Sequence, residues 1–170
     1  MARIERKYLA HYIDKNFVKP GTQNAGTPDY VRLGKDLEAF AEELNPQVSV
    51  QQNILGEQNV IHQGYQVQST DDPFYAEEGD PLFEQLKLIA EERRTGDACI
   101  TTRVDVLLTE SNLSGNTAGV YAAWREDCWV VPNSYGGDTS GVQIPFTIYN
   151  AGNRVKGTFT LASREFAPNP

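Results

Sequence analysis

Two stretches decide the fold class: Ile100-Thr-Thr-Arg-Val-Asp-Val-Leu-Leu108 and Val120-Tyr-Ala-Ala-Trp-Arg-Glu-Asp-Cys-Trp-Val-Val131. In the first, Ile100, Thr102, Val104, Val106 and Leu108 alternate with Thr101, Arg103, Asp105 and Leu107. In the second, Tyr121, Ala123, Arg125, Asp127 and Trp129 share one face. Val120, Ala122, Trp124, Glu126, Cys128 and Val130 share the other. A period of two is the period of a strand, not of a helix. Further on, Val142, Ile144, Phe146 and Ile148 keep the alternation. Asn150-Ala-Gly-Asn153 is a turn signal, and Val155, Phe159 and Leu161 return, which predicts a closing hairpin.

Working toward the N-terminus, one clear helix interrupts the strands. Asp80 suits an N-cap and Pro81 the first helical position. Leu82, Phe83, Leu86, Ile89 and Ala90 then make an apolar face, so a helix is predicted over about 81–95. Ahead of it lies an acidic loop with Asp71, Asp72, Glu77, Glu78 and Asp80 and no base; its spacing is not that of a calcium hand, and it reads as a solvated loop. Val48 and Val50 alternate with Gln47, Ser49 and Gln51. The segment from Val60 to Ser69 alternates again after a turn near Gly56. These strands are rich in Gln, Ser and Asn. They make sense if they pair with another copy of the chain or line a wet channel, because an exposed edge otherwise needs blunting. Local spacing calls residues 35–45 a helix, with Leu37, Phe40, Ala41 and Leu44 at i, i+3, i+4 and i+7. The whole pattern is mainly β, a sandwich or small barrel with one flanking helix.

With 170 residues the chain suits one domain, 1–170, whose first 28 residues read as an N-terminal arm and turn-rich loop, ordered by neighbouring subunits. A formal charge of −8 argues against a broad basic face, and hence against charge-driven nucleic-acid or membrane binding. Cys99 and Cys128 sit in separate apolar segments and read as buried free thiols. No signal-peptide pattern opens the chain and no apolar run reaches membrane-span length. His11 and His62 belong to no catalytic motif, and no nucleophile elbow, zinc helix, phosphate loop or dinucleotide fingerprint occurs. No catalytic, cofactor or metal residue is therefore assigned. Trp124 and Trp129 read as core aromatics, with carbohydrate stacking (together with Tyr135) as the competing use. A small enzyme with an unrecognised carboxylate site is a further alternative.

The wording of several segments carries a resemblance. Val31-Arg-Leu-Gly-Lys-Asp-Leu-Glu-Ala-Phe-Ala-Glu-Glu-Leu-Asn-Pro-Gln-Val48, Asn53-Ile-Leu-Gly-Glu57 and Gly64-Tyr65 resemble the tail tube proteins of tailed bacteriophages. So do Asp72-Pro-Phe-Tyr-Ala76, Gly79-Asp-Pro-Leu-Phe83, Ser134-Tyr-Gly-Gly-Asp138, Gln143-Ile-Pro-Phe146 and Gly152-Asn-Arg-Val-Lys-Gly-Thr-Phe159.

The resemblance implies a structural, non-enzymatic subunit assembling as stacked hexameric rings in a virion tail tube, made in the host cytoplasm. It implies tape-measure, baseplate hub and tail terminator partners, and DNA that passes through the bore without binding. It also implies that residues 35–45 are strand rather than helix. The inter-subunit loop or hairpin is expected around Asn45, Pro46, Asn53, Ile54, Leu55 and Gly56. Lumen-lining acids are expected at Glu38, Glu42, Glu57 and Glu110, where like charge would repel phosphate. The inner tube of a DNA-free, phage-tail-like contractile particle is the alternative within this class.

Overall fold

The computed structural model describes residues 2–17, 27–34, 40–71 and 73–169. Its strands are β1 (Leu9–Asp14), β2 (Tyr30–Leu33), β3 (Pro46–Gln52), β4 (Gln58–Tyr65), β5 (Gln68–Asp71), β6 (Ile100–Leu107) and β7 (Val120–Pro132), then β8 (Gly136–Asp138), β9 (Gly141–Gln143), β10 (Phe146–Asn150), β11 (Val155–Thr160) and β12 (Glu165–Pro168); α1 (Pro81–Glu92) lies between β5 and β6. The order β12-β11-β7-β6-β1-β2 runs across one antiparallel, curled sheet, and β10, with β5 beyond it, joins β7 as well. β8 and β9 form a minor ribbon, and β3 and β4 form a ribbon of their own. The mainly-β fold with one flanking helix is the one the strand alternation predicts.

The long β7 organises the sheet because both its faces are apolar at different places. Cys128 and Val130 join Ile13, Phe146, Ile148 and Ile144 under Leu82 and Leu86 of α1, together with Phe74 and Phe40. On the opposite face, Ala123 packs with Tyr12, Tyr30, Val104, Val106 and Phe159. Phe159 stacks on Tyr12 at 4.6 Å. Gly157 opposes Pro168, and a Cβ there would fall on the Ala167 carbonyl and the Phe166 ring, so β12 closes tightly over β11 only because that residue is glycine.

Three expectations about these elements change. Residues Leu9–Asp14, assigned above to the arm, form a strand between β2 and β6, because Ala10, Tyr12 and Ile13 supply apolar groups to both faces. β10 and β11 do not pair with each other. Both run antiparallel to β7, against residues 128–132 and 120–125 respectively, so 151–154 is an interruption in one edge rather than a hairpin turn. Its Ala151 N–H still donates to the Asp127 carbonyl at 2.8 Å. The helix ends at Glu92, with Arg93 in the left-handed region at φ 52°, three residues before Gly96. Its start is as expected: Asp80 accepts from Leu82 N–H at 3.0 Å.

Within 35–45, residues 35–39 lie outside the described residues. From Phe40 to Asn45 the chain is not helical, and it makes one isolated β-bridge, at Glu43. Glu43 and Gln68 exchange backbone hydrogen bonds at 2.8 and 3.0 Å, and Phe40 is drawn under the sheet. Tertiary pairing outweighs the helical spacing there.

Candidate interface: the projecting ribbon and a cleft on the sheet

β3 and β4 pair in register from Gln52↔Gln58 at the far end to Pro46↔Tyr65 at the base, with a bulge beside Val48. Nothing in the core covers them: Val48 is 50% exposed, Val50 60% and Val60 61%. Cross-strand partners share a face, so Val48, Val50, Val60 and His62 lie on one side, and Ser49, Gln51, Asn59 and Ile61 on the other. An isolated two-stranded ribbon is marginal in water. Here its base is tied down. Asn45, in the left-handed region at φ 41°, donates through Nδ2 to the Gln66 carbonyl at 3.1 Å, and Gln66 N–H returns to the Asn45 carbonyl at 3.3 Å. Pro46 opens β3, where a missing N–H is tolerated.

The tip is braced by one side chain. Asn53 Oδ1 accepts from the N–H groups of Leu55 and Glu57 at 2.9 and 3.0 Å. Its Nδ2 donates to the Glu57 carboxylate at 2.8 Å. Gly56, at φ 82°, closes the turn, donating to the Asn53 carbonyl at 3.1 Å. This brace holds Ile54 fully out in solvent, at 102% of its reference exposure, with Leu55 beside it at 77%.

On the helix-bearing face of the sheet, beyond α1, the strands place charge where a core would be apolar. Arg103 of β6 is buried. It donates to Asp105 Oδ1 at 2.8 Å and to Ser69 Oγ at 3.1 Å, and lies 5.6 Å from the Phe40 ring centre. His11 of β1, opposite Asp105, donates through Nδ1 to the same carboxylate at 2.6 Å. Burial alone would push the Asp105 carboxyl up. The His11 hydrogen bond and the Arg103 charge outweigh it and hold the group below its ordinary value. Burial works against Arg103 as well, and Asp105 more than offsets it. Glu126 accepts from Gly152 N–H at 3.0 Å, yet burial still raises its carboxyl.

His11 and Asp105 of this cluster line an open cleft of about 610 Å³, whose walls include Arg6, Leu9, Phe40, Trp124, Arg154 and Lys156. Arg6 is held in place by donating to the Phe40 carbonyl at 2.9 Å. Trp124 is 42% exposed rather than core, with Arg154 at 5.0 Å and Lys156 at 5.9 Å from its ring centre. Trp129 is half-buried. The expectation that both indoles are core aromatics is corrected: Trp124 stands on the cleft wall, clear of the apolar cluster under α1, and Trp129 is only half-buried.

The expected loop residues Asn45, Pro46, Asn53, Ile54, Leu55 and Gly56 thus sit at the base and tip of the ribbon. The expected acids are dispersed. Glu42 is half-buried on the cleft wall and accepts from Asn150 Nδ2 at 3.2 Å. Glu57 is at the ribbon tip, Glu110 is exposed at the start of a short 3-10 turn, and Glu38 lies outside the described residues. The cleft was not legible in advance, since Arg6, Phe40, Trp124 and Arg154 come from four separate segments with no motif. Cys99 and Cys128 are free and buried, as expected, and burial pushes the Cys128 thiol up to about 12. Among the described residues no group of three or more His, Cys, Asp or Glu could hold a metal, and no helix is long and apolar enough to cross a membrane.

No family model and no curated protein matches the sequence. Solved structures do match its fold. One is a chain from an extracellular contractile injection system, described as the PVC sheath/tube terminator in its extended state. It is 7% identical, the match covers 92% of this chain and 97% of that one, and the TM-score is 0.53. Another comes from the anti-feeding prophage cap, described as a tube terminating cap. It is 10% identical, 93% of each chain is covered, and the TM-score is 0.51. At these identities the likeness is one of fold. What is shared is the mainly-β, tail-tube-like fold with its flanking helix, and the two matched chains are themselves parts of contractile injection particles.

Proposed function

We propose that the chain is a structural subunit of the tube assembly of a phage-tail-like contractile injection particle, assembling as stacked hexameric rings around a bore. The observation that carries the reading is the β3–β4 ribbon. It projects from the core with Val48, Val50 and Val60 exposed on one face, and Ile61 among Ser49, Gln51 and Asn59 on the other. Across residues 46–65 it holds one charged residue, Glu57, although 22% of the whole chain is charged. A monomer gains nothing from such a ribbon. In a ring, each copy's valines are buried against the next copy and its unpaired edges find neighbours. The scarcity of charge fits that burial, because a charge carried into a subunit contact must give up its water and needs an opposite partner there.

The DNA-free particle is favoured over the genome-ejecting tail, in keeping with the injection-system origin of the fold matches. Tape-measure, hub and terminator proteins of such a particle are the expected partners, with the host cytoplasm as the site of assembly.

Negative-stain microscopy of the purified protein tests the reading. Hollow six-fold rings or tubes are expected, and Val50→Glu should abolish them while leaving a folded monomer. A native protein that stays monomeric at every concentration and salt, alone and with a tube-initiating complex of such a particle, refutes it. Rings that form equally well with Val50→Glu refute the role of the ribbon.

A further inference from the structure

We infer that the ribbon tip of one copy, Asn53–Glu57, seats in the cleft on the sheet face of another copy. The inference rests on the proposed ring assembly and assigns its second contact. Ile54 and Leu55 are held away from their own chain by the Asn53 brace, so the tip is already in one shape before it binds. A pre-organised knob loses little conformational freedom on docking.

The cleft offers what that knob lacks. Leu9, Phe40 and Trp124 give it an apolar wall, and Arg6, Arg154 and Lys156 give it positive charge within a chain whose net charge is −8. The cleft's own carboxylates are committed elsewhere: Asp105 to Arg103 and His11, and Glu42 to Asn150. Arg154 reaches Glu126 and Asp105 only at 3.6 and 3.9 Å, so its guanidinium is not held in a close fork by either. Glu57, two residues beyond Leu55, is the acid that would meet Arg154 and Lys156. The cleft also presents His11, 5% exposed, whose Nε2 has no hydrogen-bond partner. A volume of about 610 Å³ lies within the roughly 300–1,000 Å³ range of clefts that take specific occupants.

The chain cannot satisfy itself. Glu42 and Ala41, on the cleft wall, lead into the base of the ribbon at Pro46. Seven residues of strand carry the tip about 23 Å away from that base. The occupant is therefore the tip of a second copy. Glu57 then serves at a subunit contact instead of facing the bore.

Cysteine pairing tests the contact directly, because both native thiols are buried and leave the background clean. Chains carrying Leu55→Cys are mixed with chains carrying Ala41→Cys under assembly conditions and mild oxidation. A disulfide forms only where Cα atoms come within about 7 Å. A covalent heterodimer is expected, at least tenfold above the yield with Glu84→Cys, an exposed position on α1, in place of Ala41→Cys. Adding Glu57→Lys to the Leu55→Cys chain should cut the link at least fivefold, and Lys156→Glu in the partner should restore it.

Rings or tubes without a 41–55 link overturn the inference and leave the proposed function standing. A link without rings upholds the contact and overturns the ring. Neither link nor rings overturns both. A link indifferent to both charge changes overturns the assigned pairing of Glu57.

Discussion

Asp105→Asn is the sharpest test of how the sheet tolerates buried charge. The substitution keeps the side chain's shape and removes its negative charge. Arg103 is then left 1% exposed, with Ser69 Oγ at 3.1 Å and Asn150 Oδ1 at 3.3 Å as neutral acceptors, and its Nε still without a partner. Breaking a buried ion pair from one side costs about 3–5 kcal/mol. For a domain of this size each kcal/mol moves the midpoint by about 2–4 °C, so a fall of roughly 6–20 °C is expected. Thermal unfolding followed by circular dichroism at pH 7 measures it. The double variant Arg103→Met with Asp105→Leu should recover most of the loss, because no charge remains to be desolvated. The pH dependence gives an internal check. Asp105 has a depressed pKa in the folded state, so its contribution is present above the unfolded value near 4 and is lost as pH falls through the folded value. The gap between native protein and Asp105→Asn should therefore close on acidification below pH 4. A loss under 1 kcal/mol at pH 7, or a double variant as unstable as the single, would refute the reasoning.

Asp71 titrates in the opposite sense. Burial raises its carboxyl to about 7, against the Arg103 charge, and neither oxygen has a hydrogen-bond partner. Stability is full below the unfolded value near 4 and declines as pH rises toward 7. Asp71→Asn should flatten that decline, with a gain at pH 8 of at most about 4 kcal/mol, read by urea unfolding across pH 4–8. Val50→Glu should leave the melting temperature within about 2 °C of native, since surface changes cost roughly 0.5 kcal/mol or less, while microscopy shows no rings. Gly157→Ala should cost about 1–3 kcal/mol by forcing β12 away from β11, seen as a lowered denaturant midpoint with the Phe166 contact loosened.

The alternation in β6 and β7 could be read directly, because a strand with an apolar face announces its period in any context. The helix start could be read too, since Asp80 and Pro81 act locally. What failed was nonlocal. Asn150-Ala-Gly-Asn153 carries the same turn chemistry whether the chain reverses or only steps out of an edge. The choice was made by β7, which is long enough to pair with β10 and β11 in line. Likewise, Phe40 has helical spacing with Leu37 and Leu44. It is claimed instead by His11, 4.6 Å away and edge-on, and by the Gln68 backbone that captures Glu43. The ribbon was visible as polar alternation without a core partner. Its tip geometry depended on how Asn53 folds back over Glu57, which no periodicity reports.

The distribution of charge sets the ribbon apart from the body. Of 23 acids and 15 bases, the ribbon segment 46–65 contains one acid and no base. The body therefore carries nearly all of the net charge, and the ribbon carries the surface that meets another copy in the proposed assembly. Net charge on the body keeps free subunits apart and soluble, because it acts over about a Debye length, near 10 Å at 0.1 M salt. The ribbon reaches roughly twice that distance, so a tip can engage before two bodies repel at full strength. The single acid it retains is then an exception that calls for a partner. A carboxylate carried into a subunit contact loses its water and needs a cation there, and the basic rim of Arg154 and Lys156 supplies one when the tip is in the cleft. Assembly should accordingly show two opposing responses to salt. Screening of the bodies favours it at low to moderate ionic strength, and screening of the Glu57 contact disfavours it above about 0.5 M. Glu57→Gln should remove the second response and keep the first, measured by light scattering across a sodium chloride series. A variant that still loses assembly at high salt would show that the repelling and attracting charges are not divided in this way.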